Sequence, residues 1–211
     1  MTELTGDPVG GADDGEGDIR PVVGRILVVC TGNICRSPYI ERRLAGLLAD
    51  TDAVVSSAGT RALIGATIEP GSADLLAAAG GSTTDFAARQ ITPAILAQAD
   101  LVIAATQVHR AEAVRVNPQV LRRTFTLGEL ADLVRDADLS AEAADTDPQQ
   151  PWARRLAEIA LRRRGLFRAR PAEESDIPDP YQRGTAAYAI MASEIEKALL
   201  VVGPALRPPT V

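Results

Sequence analysis

The sequence predicts an α/β fold, a single-domain parallel four-stranded sheet with helices on both faces. Three observations lead there. Short aliphatic, β-branched runs recur along the chain, helical apolar spacing follows them, and Gly, Pro, Asn or Ser mark the joins. The first run, residues 25–30, reads Arg-Ile-Leu-Val-Val-Cys and is a strand; a Gly-containing turn and an apolar-periodic helix over 38–48 come next. The alternation returns as a strand over 53–57, helices over 72–79 and 93–98, and a strand over 101–105. A helix over 109–116 and a short strand over 124–127 complete the sheet. Residues 128–174 are polar, Arg-rich and Ala-rich, with an amphipathic helix from Trp152, and read as a helical insertion packed on the domain. The last helix is predicted over 185–201, where Ala187, Ile190, Met191, Ile195, Ala198 and Leu199 recur at helical spacing. Pro204, Pro208 and Pro209 then begin a Pro-rich tail, 204–211. The domain proper is therefore expected over 21–203.

Of the 211 residues 46% are hydrophobic, enough for a sizeable core, and the formal charge is −6. That charge is concentrated at one end. Residues 1–20 hold six acids against Arg20 and little that is apolar, so they are expected to form a disordered acidic tail, and the remainder is nearly neutral. A nucleic-acid binder would need a basic excess, and no apolar run approaches the ~20 residues that cross a bilayer. Neither partner is expected. Two cysteines, Cys30 and Cys35, are too few for a disulfide framework and fit a reducing cytoplasm. With His109 the only histidine, no metal site is expected either. His109 is predicted on an exposed helix and given no catalytic part.

The chemistry concentrates in Cys30-Thr-Gly-Asn-Ile-Cys-Arg-Ser-Pro38, between the first strand and the first helix. Open α/β sheets place ligands at the carboxyl ends of their strands, and a short loop opening into a helix turns backbone N–H groups towards an anion. Gly32 and Asn33 suit the left-handed backbone of such a cradle. Its amides, the helix dipole and Arg36 would favour the thiolate of Cys30, making it a nucleophile. Arg36 offers a bidentate guanidinium to two oxygens of an oxyanion, and Ser37 a hydrogen bond to the sulfur. The competing cradle of nucleotide-binding proteins needs a Gly-Lys-Ser/Thr ending that is absent.

These residues resemble the Cys-x5-Arg-Ser phosphate loop of the low-molecular-weight protein tyrosine phosphatases. Ser56-Ser-Ala-Gly-Thr60 looks like that family's second-strand motif, and Asp176-Ile-Pro-Asp-Pro-Tyr181 resembles its Asp-Pro general-acid loop. The likeness covers about residues 24–127 and 176–200. It implies a phosphate loop after strand 1, a phosphocysteine intermediate on Cys30, and catalysis by Cys30, Arg36 and Asp179 without a cofactor. Thr31, Gly32, Asn33, Ile34, Cys35, Ser37 and Tyr181 would bind phosphate or substrate. The implied partner is a phosphotyrosine protein, met by a cytoplasmic monomer or weak dimer. The chemistry agrees: a phenol of pKa ~10 leaves only with a proton donor beside it, and Asp179, with Asp176 as nearest rival, is the candidate.

Two positions depart from the family pattern. Phe86 stands where the family places a histidine, which predicts an incomplete network around Asn33, Ser37 and Ser57. Leu63 falls near a usual aromatic wall, leaving Ile34 and Tyr181 as the expected walls. Cys35 has two readings, a small residue packed beneath the loop or a partner that captures oxidised Cys30 in a reversible, redox-sensitive disulfide. The same loop would also serve an arsenate reductase working with a low-molecular-weight thiol, or a phosphate-binding module with little turnover.

Overall fold

The computed structural model describes residues 22–166 and 170–209; the acidic stretch 1–20 lies outside them. Four parallel strands, β1 (Arg25–Cys30), β2 (Val54–Gly59), β3 (Leu101–Ala104) and β4 (Thr124–Thr126), pair in the order β2-β1-β3-β4. Along β1 the side chains alternate between two cores: Ile26, Val28 and Cys30 enter the larger, Leu27 and Val29 the smaller. A central parallel strand is covered on both faces, which is why its sequence is an unbroken apolar run. The larger core is closed by α1 (Arg36–Leu47), α2 (Pro70–Ala78), α5 (Leu127–Val134), α7 (Trp152–Arg163) and α9 (Thr185–Ala205). On the smaller lie α3 (Pro93–Ala97), α4 (Gln107–Val116) and a 3₁₀ turn, Pro118–Arg123. Short helices α6 (Leu139–Ala143) and α8 (Ala172–Ser175) join the remaining segments.

The predicted elements are all present, with shifted ends that have local causes. Helix α1 starts at Arg36, two residues before Pro38, and so takes Arg36 and Ser37 into its first turn. Strand β4 stops at Thr126 because that residue caps α5: its hydroxyl accepts the Glu129 N–H at 3.1 Å, and Glu129 reaches back to the Thr126 N–H. Helix α9 continues beyond Val201 to Ala205 with Pro204 in its last turn. The carbonyl that Pro204 deprives of a partner belongs to Leu200, which is 79% exposed, and water can serve it. Within 128–174, α5 and α7 turn Leu130, Leu133, Trp152, Leu156 and Ile159 into the larger core, and Trp152 Nε1 donates to the Ala205 carbonyl at 2.9 Å.

The strand order sets the position of the site. From β1 the chain crosses to β2 on one side and then to β3 on the other, so the loop leaving β1 opens at the point where the winding reverses, where such sheets take ligands. Gly59, the last residue of β2, faces that loop. A Cβ there would stand 2.4 Å from the Thr31 carbonyl oxygen, and a main-chain atom cannot swing aside. Gly59→Ala is therefore expected to cost about 2–3 kcal/mol, seen as a melting temperature lower by roughly 5–10 °C together with reduced turnover. Unchanged melting and unchanged turnover would contradict this close approach.

Candidate active site

The loop between β1 and α1 is shaped by what takes its carbonyls. The oxygens of Cys30, Thr31, Gly32 and Ile34 accept the N–H groups of Thr60, Arg61, Leu63 and Glu69 at 2.8, 3.0, 3.0 and 2.9 Å. A trans peptide points its N–H opposite to its C=O, so the N–H groups of Thr31, Gly32, Asn33 and Cys35 turn away from that outer strap and towards the middle of the loop. Asn33 takes the predicted left-handed conformation, φ 56°. No side chain caps α1 at Cys35, which leaves the first-turn amides to an anion.

A chain of hydrogen bonds aims one hydroxyl at the nucleophile. Asn33 Nδ2 donates to Ser37 Oγ at 2.9 Å and to Ser57 Oγ at 2.7 Å, while its Oδ1 accepts the Arg89 N–H at 2.9 Å. Ser57 in turn donates to Glu41 Oε2 at 2.5 Å. With both amide protons spent and its oxygen fixed, Asn33 leaves Ser37 free to donate only onward, to Cys30 Sγ at 3.0 Å. The network predicted to be incomplete is therefore closed, by Glu41 and the Arg89 backbone instead of a histidine. Phe86 packs against the core under the Arg42 guanidinium. Glu41 was missed from sequence because it reads as one more acid on an amphipathic helix; burial raises its pKa, and the Ser57 hydroxyl offsets that.

Arg36 is 5% exposed and contacts Asp179 Oδ2 through Nη2 at 2.9 Å, while its buried Nε has no partner among the described residues. A buried guanidinium donor without an acceptor is costly unless an anion meets it. Cys30, Arg36 and Asp179 line one cavity of about 190 Å³ with Thr31, Gly32, Ile34, Cys35, Leu63, Tyr181 and Arg61. The structure brings every predicted binding residue to this cavity except Asn33 and Ser37, which stand behind it as the supports just described. Asp176 is placed elsewhere: its Oδ1 accepts the Gln107 N–H at 2.9 Å, and burial raises its pKa. That bond, the Ile177 N–H given to the Ala105 carbonyl at 2.9 Å, and the buried Ile177 and Pro180 pin the segment from which Asp179 projects.

Two further residues were misjudged or left open. His109 is not on an exposed face: it is 4% exposed, its Nε2 lies 2.7 Å from Thr31 Oγ1 and its Nδ1 2.8 Å from Thr106 Oγ1. Spacing on α4 gave no hint, because the contact is made across the end of the sheet. Burial, helped by the charge of Arg36, lowers its pKa to about 4. An unfolded histidine titrates near 6.5, so this ring withholds stability as pH falls from there towards 4. Between pH 7 and 5 the chain is expected to lose about 2 kcal/mol that a His109→Gln chain keeps, read by urea unfolding at the two pH values. Equal losses in both chains would refute it. Cys35, 4% exposed at the cavity wall, has its Sγ 4.0 Å from the Tyr188 hydroxyl, and burial pushes its thiol up to about 12.

Comparison with known proteins agrees with this geometry. A family described as low molecular weight phosphotyrosine protein phosphatase matches residues 25–168, short of Asp179, whose assignment therefore rests on its position. The chain is 31% identical over 145 residues to the probable low molecular weight protein-tyrosine-phosphatase AmsI of Erwinia amylovora, covering 64% of this chain and 99% of that one. It is 33% identical over 141 residues to Etp of Escherichia coli K12, covering 63% and 94%. Among solved structures, Vibrio vulnificus Wzb in complex with benzylphosphonate superposes with a TM-score of 0.61 at 25% identity, over 86% of this chain and 97% of that one.

Proposed function

The chain belongs to the low molecular weight phosphotyrosine protein phosphatase family, and we propose that it hydrolyses phosphotyrosine in proteins with Cys30 as nucleophile, Arg36 as phosphate clamp and Asp179 as general acid. One observation supports this most: a sulfur, a buried guanidinium with an unpartnered donor, and a carboxylate converge on a single cavity.

An incoming phosphate dianion takes the Arg36 guanidinium over from Asp179 and receives the inward amides of the loop. That exchange frees the Asp179 carboxylate, which takes up the proton given up by the Cys30 thiol and stands as the acid over the leaving oxygen. Cys30 Sγ attacks phosphorus, the bond to the phenolic oxygen breaks, and Asp179 gives that oxygen its proton. Charge on the transferring group spreads over three oxygens, which the loop amides and Arg36 stabilise. Asp179, now ionised, takes a proton from a water that displaces the sulfur, releasing phosphate and restoring Cys30. Ile34, Leu63 and Tyr181 offer apolar surface to a ring at the mouth, Leu63 at 49% and Tyr181 at 43% exposure.

A reducing compartment such as the cytoplasm suits the two free thiols, and the protonated, buried Cys35 would act as a redox partner only once Cys30 is oxidised. Among the described residues no helix is long and apolar enough to cross a membrane. The direct test is hydrolysis of phenyl phosphate and of a phosphotyrosine peptide by the purified full chain, measured beside arsenate-dependent thiol oxidation. Turnover of both esters is expected; arsenate reduction without ester hydrolysis would overturn the proposal.

A further inference from the structure

Arg61 stands at the mouth of the catalytic cavity and is not used by the mechanism above. Its backbone is fixed. Its own N–H donates to the Thr31 carbonyl at 3.0 Å, and its neighbours are clamped as well, with Ala62 N–H given to Gln90 Oε1 at 3.0 Å and Gln90 Nε2 donating to the Thr60 carbonyl at 2.9 Å. The segment that holds it is thus strapped to the phosphate loop. Its side chain is exposed and, among the described residues, has no carboxylate and no hydrogen-bond acceptor. Among the described residues the one acid lining the same cavity, Asp179, is held by Arg36. In a chain of net charge −6, the mouth of the site therefore presents an unneutralised cation at a defined place.

We propose that Arg61 is a specificity-determining residue that selects phosphotyrosine flanked by an acidic side chain, an inference that rests on the phosphatase reading of the site. With the phosphate at Cys30 and the ring beside Leu63 and Tyr181, the substrate main chain lies across the rim. Its neighbouring side chains come within reach of a long guanidinium there. An aspartate or glutamate next to the phosphotyrosine gains a partner that is already in place and gives up no other contact. A lysine at the same position meets the like charge of Arg61. Exposure keeps the effect modest and salt-sensitive.

The test compares kcat/KM of the full chain for three phosphotyrosine peptides differing only in the residues flanking the phosphotyrosine (Glu, Gln or Lys), with phenyl phosphate measured alongside. The Glu peptide is expected to exceed the Gln peptide by about three- to tenfold at low ionic strength, and the margin to shrink at high salt. In the Arg61→Glu variant the order reverses, with the Lys peptide preferred, a change that loss of local structure would not produce. Equal rates on the three peptides with phenyl phosphate still hydrolysed, or an unreversed order in Arg61→Glu, overturns the assignment of Arg61 alone. Absence of phenyl phosphate turnover overturns the phosphatase reading and this inference with it.

Discussion

Cys30→Ser is expected to lower phenyl phosphate turnover by more than about 10³-fold while leaving phosphate binding in place. A serine hydroxyl occupies nearly the same space at the end of β1, and Ser37 can donate to oxygen as it does to sulfur at 3.0 Å. The cradle amides are set by the backbone N–H groups of Thr60, Arg61, Leu63 and Glu69, which bond the loop carbonyls and not the thiol, so the loop keeps its shape. What disappears is the nucleophile, because the alcohol stays protonated where a thiol can ionise. Binding of inorganic phosphate to the variant, measured by calorimetry, separates lost chemistry from a lost site. A variant that keeps the parent rate would show that the phosphoryl group does not pass through Cys30.

Asp179→Asn is expected to slow phenyl phosphate turnover by about 10²–10⁴-fold, the contribution of a well-placed proton donor. The loss should be smaller for an ester of a more acidic phenol, which needs less help to leave, so the ratio of the two substrates identifies the step. Asp176→Asn is the matched control. Its amide oxygen can still accept the Gln107 N–H, and turnover is expected to stay within several-fold of the parent. If the two variants exchanged phenotypes, the assignment of the acid would be reversed.

The sequence carried the sheet and the loop because both are local. An unbroken apolar strand, a turn with Gly32 and Asn33, and a helix start bearing Arg36 are consecutive in the chain, and each is constrained by backbone physics. What stayed hidden depends on residues far apart in sequence. Glu41 completes the serine network through a bond to Ser57, and His109 reaches Thr31 across 78 residues. Neither has a spacing that distinguishes it from an ordinary helix face. The absent histidine at Phe86 misled for the same reason: a missing side chain is visible in a sequence, whereas the backbone N–H of Arg89 and the carboxylate that replace its work are not. The choice between Asp176 and Asp179, three residues apart, also needed the fold, since only the pinning of Ile177 and Pro180 shows which carboxyl turns towards Arg36.

The central claim is that phosphate spends part of each cycle on the sulfur of Cys30. Its most direct test uses the Asp179→Asn chain with 4-nitrophenyl phosphate, whose acidic phenol leaves without a proton donor while the base that assists hydrolysis of the intermediate is gone: the protein is denatured at neutral pH during turnover, digested, and the phosphate located by mass spectrometry. A phosphorylated thiol on the peptide that contains Cys30 is the expected result. Phosphate on any other side chain, or unmodified Cys30 while nitrophenol release has exceeded one equivalent and is still proceeding, would contradict it.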